Sequence, residues 1–182
     1  MDKERFTILL GGDVTVTDRL EEAVAESRVI AADGGMRHAG PLGLKPELWV
    51  GDFDSASKEL LDAWPDVKRQ PYPAAKAVTD GEIAVSEALS RGAHSLLLVG
   101  ALGGARSDHA LQHLLYAVAL AERGLDVTLT SGEEEARPLL PGSLDVDLPA
   151  GSLFSVAGFT ALGGLDIGNV RYPLDDFALA FG

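Results

Sequence analysis

SLLLVGALGGARSDHALQHLLYAVALAERGLDVTLT, residues 95–130, holds a complete structural unit in one stretch. Ser95–Val99 is short, apolar and halted by Gly100, which predicts a buried strand. Beyond a glycine-containing loop, Leu111, Leu114, Leu115 and Val118 recur at helical spacing, so a helix is expected from Asp108 to Arg123, ended by Gly124. Asp126–Thr130 is again apolar and β-branched and predicts the next strand. A strand, a helix and a second strand in that order imply parallel strands joined by a covering helix.

The same grammar extends toward the N-terminus. Apolar runs ending in glycine or aspartate predict strands at Thr7–Leu10, Val29–Ala32 and Leu48–Val50, with a weaker one at Val67–Gln70. Between them, helices are expected at Asp18–Ser27, with Leu20, Ala23 and Val24 on one face, and at Ala56–Trp64 behind a Ser55 cap. Thr79 and Glu82 have capping-box spacing, so a further helix is expected from Asp80 to Arg91, stopped by Gly92. The expectation is an α/β domain over residues 1–131, a mostly parallel sheet with covering helices. After Ser131 the pattern changes, because Pro138, Pro141, Gly142, Pro149 and Gly151 break the chain into short pieces. Alternation of Leu144, Val146 and Leu148, and of Phe177, Leu179 and Phe181, predicts a small β domain over residues 135–182. Trp49 and Trp64, in apolar surroundings, are expected in the core.

Composition narrows the function. The 182 residues carry a formal charge of −13 and no cysteine, so disulfides, thiolate metal sites and cysteine nucleophiles are all excluded. Acidic charge spread along the chain predicts no nucleic-acid partner, and an anionic nucleotide is expected to arrive with a divalent cation. The apolar run Phe6–Leu10 is too short for a signal peptide or a membrane span. No membrane partner is expected, and a cytoplasmic location is.

The chemistry concentrates at predicted strand ends. Asp33 follows the second strand, Asp52 and Asp54 follow the third, and Asp80 and Asp108 open helices on the same edge. Any single aspartate there reads as a turn or cap residue, whereas five on one rim read as a site. Two carboxylates ~4 Å apart repel by about 4 kcal/mol at an effective dielectric near 20, so such a rim calls for cations. Hard oxygen donors with no cysteine and few histidines point to magnesium. The loop from Gly100 to Asp108 offers glycine backbone, a helix start and Arg106 to an anion. It lacks both the Walker and the dinucleotide-binding spacings. His109 and His113 are four apart, yet Ala110 stands where a zinc protease has glutamate, and no zinc is expected. On the helical wheel they lie opposite Leu111, Leu114, Leu115 and Val118, which predicts that they face the rim or solvent.

Taken together, Ala32-Asp33-Gly34-Gly35, Gly51-Asp52-Phe53-Asp54-Ser55, Lys76 with Thr79-Asp80, and the segment Gly103-Gly104-Ala105-Arg106-Ser107-Asp108-His109 resemble the thiamin pyrophosphokinase family in order and spacing. Arg171-Tyr172-Pro173-Leu174 is similar to its segment in the C-terminal β domain. The resemblance implies an α/β catalytic domain, a small C-terminal β-sandwich domain contributing to the thiamin site and the dimer, and a homodimeric enzyme. Its reaction would move pyrophosphate from ATP to thiamin and release AMP. By position, Asp52, Asp54 and Asp80 match the magnesium and catalytic carboxylates, with Asp108 a further catalytic group. Asp33, Gly34, Gly35, Lys76, Thr79, Gly104 and Arg106 match groups around ATP, and Tyr172 an aromatic face for thiamin. Ala75 and Ala77 replace usual acidic residues and His113 a usual asparagine, which predicts weaker metal binding. The Ser-Asn-containing tail common in the family does not follow Gly182, which predicts weaker thiamin binding.

Other readings share part of this pattern. A pyrophosphokinase acting on another alcohol, such as a pterin, would use the same carboxylates, and a non-catalytic nucleotide- or thiamin-binding module would keep the fold. Asp52-Phe53-Asp54 also resembles the nucleophile loop of haloacid dehalogenase-type phosphatases. That loop, however, normally follows the first strand and is followed by threonine or valine where this chain has Ala56.

Overall fold

The computed structural model describes residues 4–181 except Ser55, Ala74 and Lys76. The chain divides into two compact units, residues 1–143 and 144–182.

The first unit is built on one seven-stranded sheet. Its strands are β1 (Glu4–Leu9), β2 (Arg28–Ala32), β3 (Leu48–Gly51), β4 (Arg69–Pro71), β5 (Ala93–Val99), β6 (Asp126–Thr130) and β7 (Glu135–Ala136), in the spatial order β4-β3-β2-β1-β5-β6-β7. All pairings are parallel except β6 with β7. The helices are α1 (Asp18–Val24), α2 (Lys58–Ala63), α3 (Asp80–Ser90) and α4 (Ser107–Glu122), and a 3₁₀ turn covers Asp33–His38.

The strand runs are apolar on both sides because both faces of the sheet are covered. Phe6, Ile8, Ile30, Val50, Leu96 and Leu98 point to one face, where α3 brings Ile83, Ala84 and Ala88 and α4 brings Ala117 and Leu120. Leu9, Val29, Ala31, Trp49, Leu97 and Val99 point to the other, against Leu20 and Val24 of α1 and Met36 of the 3₁₀ turn. Trp49 is fully buried, as expected, whereas Trp64 is only half-buried, packed against the margin of the core. Leu98, at 1% exposure, typifies the core; truncation to alanine would cost about 2–5 kcal/mol.

Local chemistry sets the helix starts. Thr17 accepts from the Leu20 amide to cap α1, and Thr79 and Glu82 close a complete capping box on α3. Helix α2 starts at Lys58 under a Ser57 cap, later than expected; Ser55 lies outside the described residues. Helix α1 stops at Val24 rather than Ser27, since Ser27 turns its hydroxyl onto the Val24 carbonyl and Glu26 takes a left-handed φ of 59°.

The region after Ser131 differs from expectation. Glu135–Ala136 extends the main sheet as an antiparallel edge strand, anchored by a two-point ion pair from Arg19 to Glu135, so the first unit continues to Ser143. The alternating Leu144, Val146 and Leu148 form no strand and are exposed, because alternation yields a strand only where a neighbour supplies the ladder. Among its described residues the second unit has one antiparallel pair, β8 (Leu162–Ile167) with β9 (Leu174–Leu179), matching Leu162 with Leu179 and Ile167 with Leu174. Phe177 and Phe181 are 43% and 74% exposed.

Candidate active site

The strand order reverses direction once. The chain steps from β1 through β2 and β3 to β4 at one edge, then returns by α3 to β5 on the other side of β1. Loops leaving the carboxyl ends of β1 and β5 therefore diverge, and such a switch point is where open α/β sheets bind ligands. The segments Gly11-Gly12-Asp13 and Gly100–Arg106 meet there. The Gly12 amide donates to the Gly100 carbonyl at 3.0 Å, and a Cβ on Gly12 would overlap that same carbonyl. Gly104, with φ 91°, lies against Gly12 from the other side. Only glycine permits this approach of two loops.

The expected carboxylates lie after β2, after β3 and at the start of α3. Asp33 opens the 3₁₀ turn after β2 with φ 43°, and its carbonyl accepts from Trp49 Nε1 at 2.9 Å. Its backbone abuts Gly51, where a Cβ would come within 3.1 Å of the Asp33 Cα. This contact brings the Asp33 turn against the loop carrying Asp52 and Asp54. There the Asp54 amide donates to Asp52 Oδ1 at 3.1 Å while Phe53 adopts φ 62° and packs edge-on against Trp49. The turn places Asp52 half-buried and Asp54 exposed. Asp80 is the first residue of α3 and half-buried.

Asp108 and Arg106 form a two-point ion pair in which Nε donates to Oδ1 at 2.8 Å and Nη2 to Oδ2 at 2.6 Å. The guanidinium holds the Asp108 carboxyl well below the usual carboxylate range.

Other expected residues have duties in the fold. The Thr79 hydroxyl and amide both engage Glu82 in the capping box. Gly35 is buried where a Cβ would strike the Leu9 carbonyl, so it is a packing glycine between β1 and the 3₁₀ turn. The Gly34 carbonyl accepts from Arg37. Tyr172 lies in the second unit, 74% exposed, with Arg171 over its ring. Lys76 lies outside the described residues.

Arg37 and His38 were not singled out by the sequence. Arg37 donates to the carbonyls of Gly11, Gly12 and Gly34, and His38 Nε2 donates to the Gly12 carbonyl at 2.9 Å. Burial pushes the His38 imidazole below its ordinary value, and the carbonyl partner requires a proton on Nε2. The available signal was Gly11-Gly12-Asp13 after an apolar run, which repeats the strand-then-glycine pattern at Asp33-Gly34-Gly35.

Helix α4 presents a different face to the sheet from the one its leucine spacing predicts. Leu111 and Leu115 are 52% and 48% exposed, whereas His113 shares the inward stripe with buried Ala117 and Leu120. The helix rests Ala117 and Leu120 on the sheet, with Leu114 and Tyr116 partly buried beside them, and turns Leu111 and Leu115 outward. Beside α3, a cavity of about 350 Å³ is lined by Tyr72, Val78, Glu87 and Tyr116 among others. Of its two carboxylates, Glu87 already accepts from Gln70, Tyr72 and Arg91, and Glu82 from the Thr79 amide and hydroxyl.

Among the described residues, no three histidine, aspartate or glutamate side chains form a ready-made cation site. Magnesium typically binds one or two carboxylates and completes its shell with water and substrate phosphates, and the aspartate donors suit it in that manner. No described helix is long and apolar enough to cross a membrane.

In structure the chain is similar to the thiamine pyrophosphokinase of Bacillus subtilis, with TM-score 0.80 and 22% identity over 98% of this chain and 86% of that one. It is also similar to a thiamin pyrophosphokinase family protein of Enterococcus faecalis, with TM-score 0.74 and 23% identity over 99% and 85% of the two chains. For the thiamin pyrophosphokinase of Geobacillus thermodenitrificans the values are 0.75 and 22%, over 97% and 83%. These likenesses carry the fold. No curated protein matches the sequence. The sequence model described as thiamin pyrophosphokinase, catalytic domain, matches residues 21–129, more than half of the chain and the span from α1 to β6. The chain belongs to the thiamin pyrophosphokinase family, the ATP-dependent pyrophosphotransferases that convert thiamin to thiamin diphosphate.

Proposed function

We propose that pyrophosphoryl transfer in this chain takes place on the carboxyl edge of the sheet, with Asp52, Asp54 and Asp80 holding the magnesium that accompanies ATP. The observation that carries this reading is the junction of two glycine loops at the strand-order switch, beside the abutting Asp33 and Gly51 backbones. When bound, magnesium would neutralise phosphate charge. Gly104 backbone and the Arg106 fork face the phosphates from the β5–α4 loop, and Asp33 and Gly34 border the nucleotide from the turn after β2, which Gly35 packs onto β1. Lys76 is assigned to the phosphate side on sequence position.

The thiamin hydroxyl oxygen forms a bond to the β-phosphorus of ATP as the bond from that phosphorus to the α-phosphate bridging oxygen breaks. The pyrophosphoryl group passes to thiamin, and AMP leaves with the electron pair. The hydroxyl proton goes to a carboxylate of the chain. Both oxygens of Asp108 already accept charge-assisted hydrogen bonds, so we assign proton acceptance to Asp80, through the carboxylate oxygen that is not on magnesium. Tyr172 is assigned to the thiamin ring. The enzyme acts as a cytoplasmic homodimer. The exposed Leu111 and Leu115, and Phe177 and Phe181 in the second unit, support burial of apolar surface against another copy.

The test is AMP formation from ATP that depends on thiamin. Asp52→Asn and Asp54→Asn are expected to abolish it while circular dichroism and melting remain those of a folded protein. Full activity in both variants would refute the assignment.

A further inference from the structure

We propose that His113 is a positioning residue that anchors the glycine loop after β5 to helix α4 and packs its ring beside the first turn of α3, and so holds the loop carrying Arg106 in place next to Asp80. The inference rests on the site reading above for its catalytic consequence, though its geometry stands apart from it.

His113 Nδ1 lies 3.0 Å from the Ala101 carbonyl oxygen. A carbonyl only accepts, so Nδ1 carries the proton. Burial pushes the imidazole below its ordinary value, and the ring is therefore neutral at pH 7 with Nε2 left as an acceptor. That acceptor lies 3.8 Å from where a Cβ would stand on Gly81, next to Asp80. Gly81 occupies the first turn of α3, where amide groups lack partners within the helix and the helix end is positive. A neutral ring presenting a lone pair suits that end. The titratable groups facing the ring are His109, one turn earlier on α4, and Glu82 of α3.

Such a tie has a clear purpose. The loop after β5 contains Gly100, Gly103 and Gly104, all at positive φ, and glycine-rich backbone is costly to hold in one conformation. Its nearest backbone anchors are Gly100 to Thr130 and Gly12 to Gly100, both before Ala101. His113 adds an anchor just past them, from a ring seated in the same stripe as the buried Ala117 and Leu120.

Two measurements test this. In a long-range proton–nitrogen spectrum of histidine-labelled protein at pH 7, His113 is expected as a neutral ring protonated on Nδ1; a ring protonated on Nε2 overturns the proposal without reference to turnover. In kinetics, His113→Ala is expected to raise the KM for magnesium-ATP about five- to tenfold and to lower kcat, the loss expected for about one hydrogen bond. His113→Asn retains a short donor for Ala101 but not the second nitrogen, and should restore KM while kcat stays low. Equal KM and kcat changes in both variants, without that separation, would make His113 a mere packing residue. Thiamin-dependent AMP formation that survives in Asp52→Asn and Asp54→Asn would remove the site reading and leave the tautomer result standing.

Discussion

Arg106 and Asp108, two residues apart, lock their side chains together at the mouth of the β5–α4 loop, with both carboxylate oxygens taken by one guanidinium. The arginine assigned to phosphate is thus held by an internal anion before any ligand arrives. Phosphate has to compete for the same fork, since bidentate geometry suits both partners. Arg106→Lys keeps the charge but loses the fork, and is expected to raise the KM for ATP about tenfold with little change in melting. Asp108 stays ionised through the neutral range because its carboxyl is held low. The acid limb of a pH–rate profile should therefore keep its midpoint in Asp108→Asn. A shift of that limb in Asp108→Asn would reassign the proton acceptor.

The glycine junction predicts a contrast between neighbours. A Cβ on Gly12 overlaps the Gly100 carbonyl, which is backbone and cannot swing aside, whereas a Cβ on Gly11 meets nothing within 4 Å. Gly12→Ala should cost about 1–3 kcal/mol and reduce activity by moving the loops apart. Gly11→Ala should leave melting and turnover unchanged. Equal melting temperatures for the two variants would show that the loops do not meet as described.

At the opposite edge of the sheet, Glu47 accepts from Arg28 and Arg91, and Arg91 also donates to Glu87. Hydrogen bonds from Arg28 hold the Glu47 carboxyl below its ordinary value. Burial raises the Glu87 carboxyl, but bonds from Arg91, Gln70 and Tyr72 outweigh it and the net direction is also downward. Depressed carboxyls contribute stability above the unfolded value, near pH 4.5, and lose it as pH falls through the folded value. Urea melts should thus weaken on acidification below about pH 5. Arg91→Met should cost about 1–3 kcal/mol at pH 7 and flatten that dependence. Because the groups are partly exposed, the effect should shrink in high salt.

The outward leucine pair predicts association. With Leu111 and Leu115 exposed one helical turn apart, sedimentation at micromolar concentration should show a dimer. The double substitution Leu111→Glu and Leu115→Glu should shift it toward monomer with circular dichroism unchanged. A dimer unaffected by that change would locate the interface elsewhere, with Phe177 and Phe181 the next surface to vary.

The sequence alone determined the parallel α/β core, because strands buried on both faces must be short continuous apolar runs and the helices between them carry their own caps. Thr79 with Glu82 is a signal complete within four residues, and the structure contains that capping box. The aspartates at strand ends were legible for the same reason: strand direction and chain order put them on one edge. Tertiary structure decided what local spacing does not encode. Leu111 and Leu115 could have faced inward on periodicity alone, yet the sheet takes Ala117 and Leu120 and sends that pair to solvent. The alternation at Leu144 to Leu148 made no strand, while Glu135–Ala136, with little alternation to show, joined the sheet because β6 offered an open edge. Arg37 reaching Gly11 and Arg91 reaching Glu47 join residues 26 and 44 positions apart. Such pairings follow from where packed elements leave carbonyls and carboxylates, and only the folded chain sets those positions.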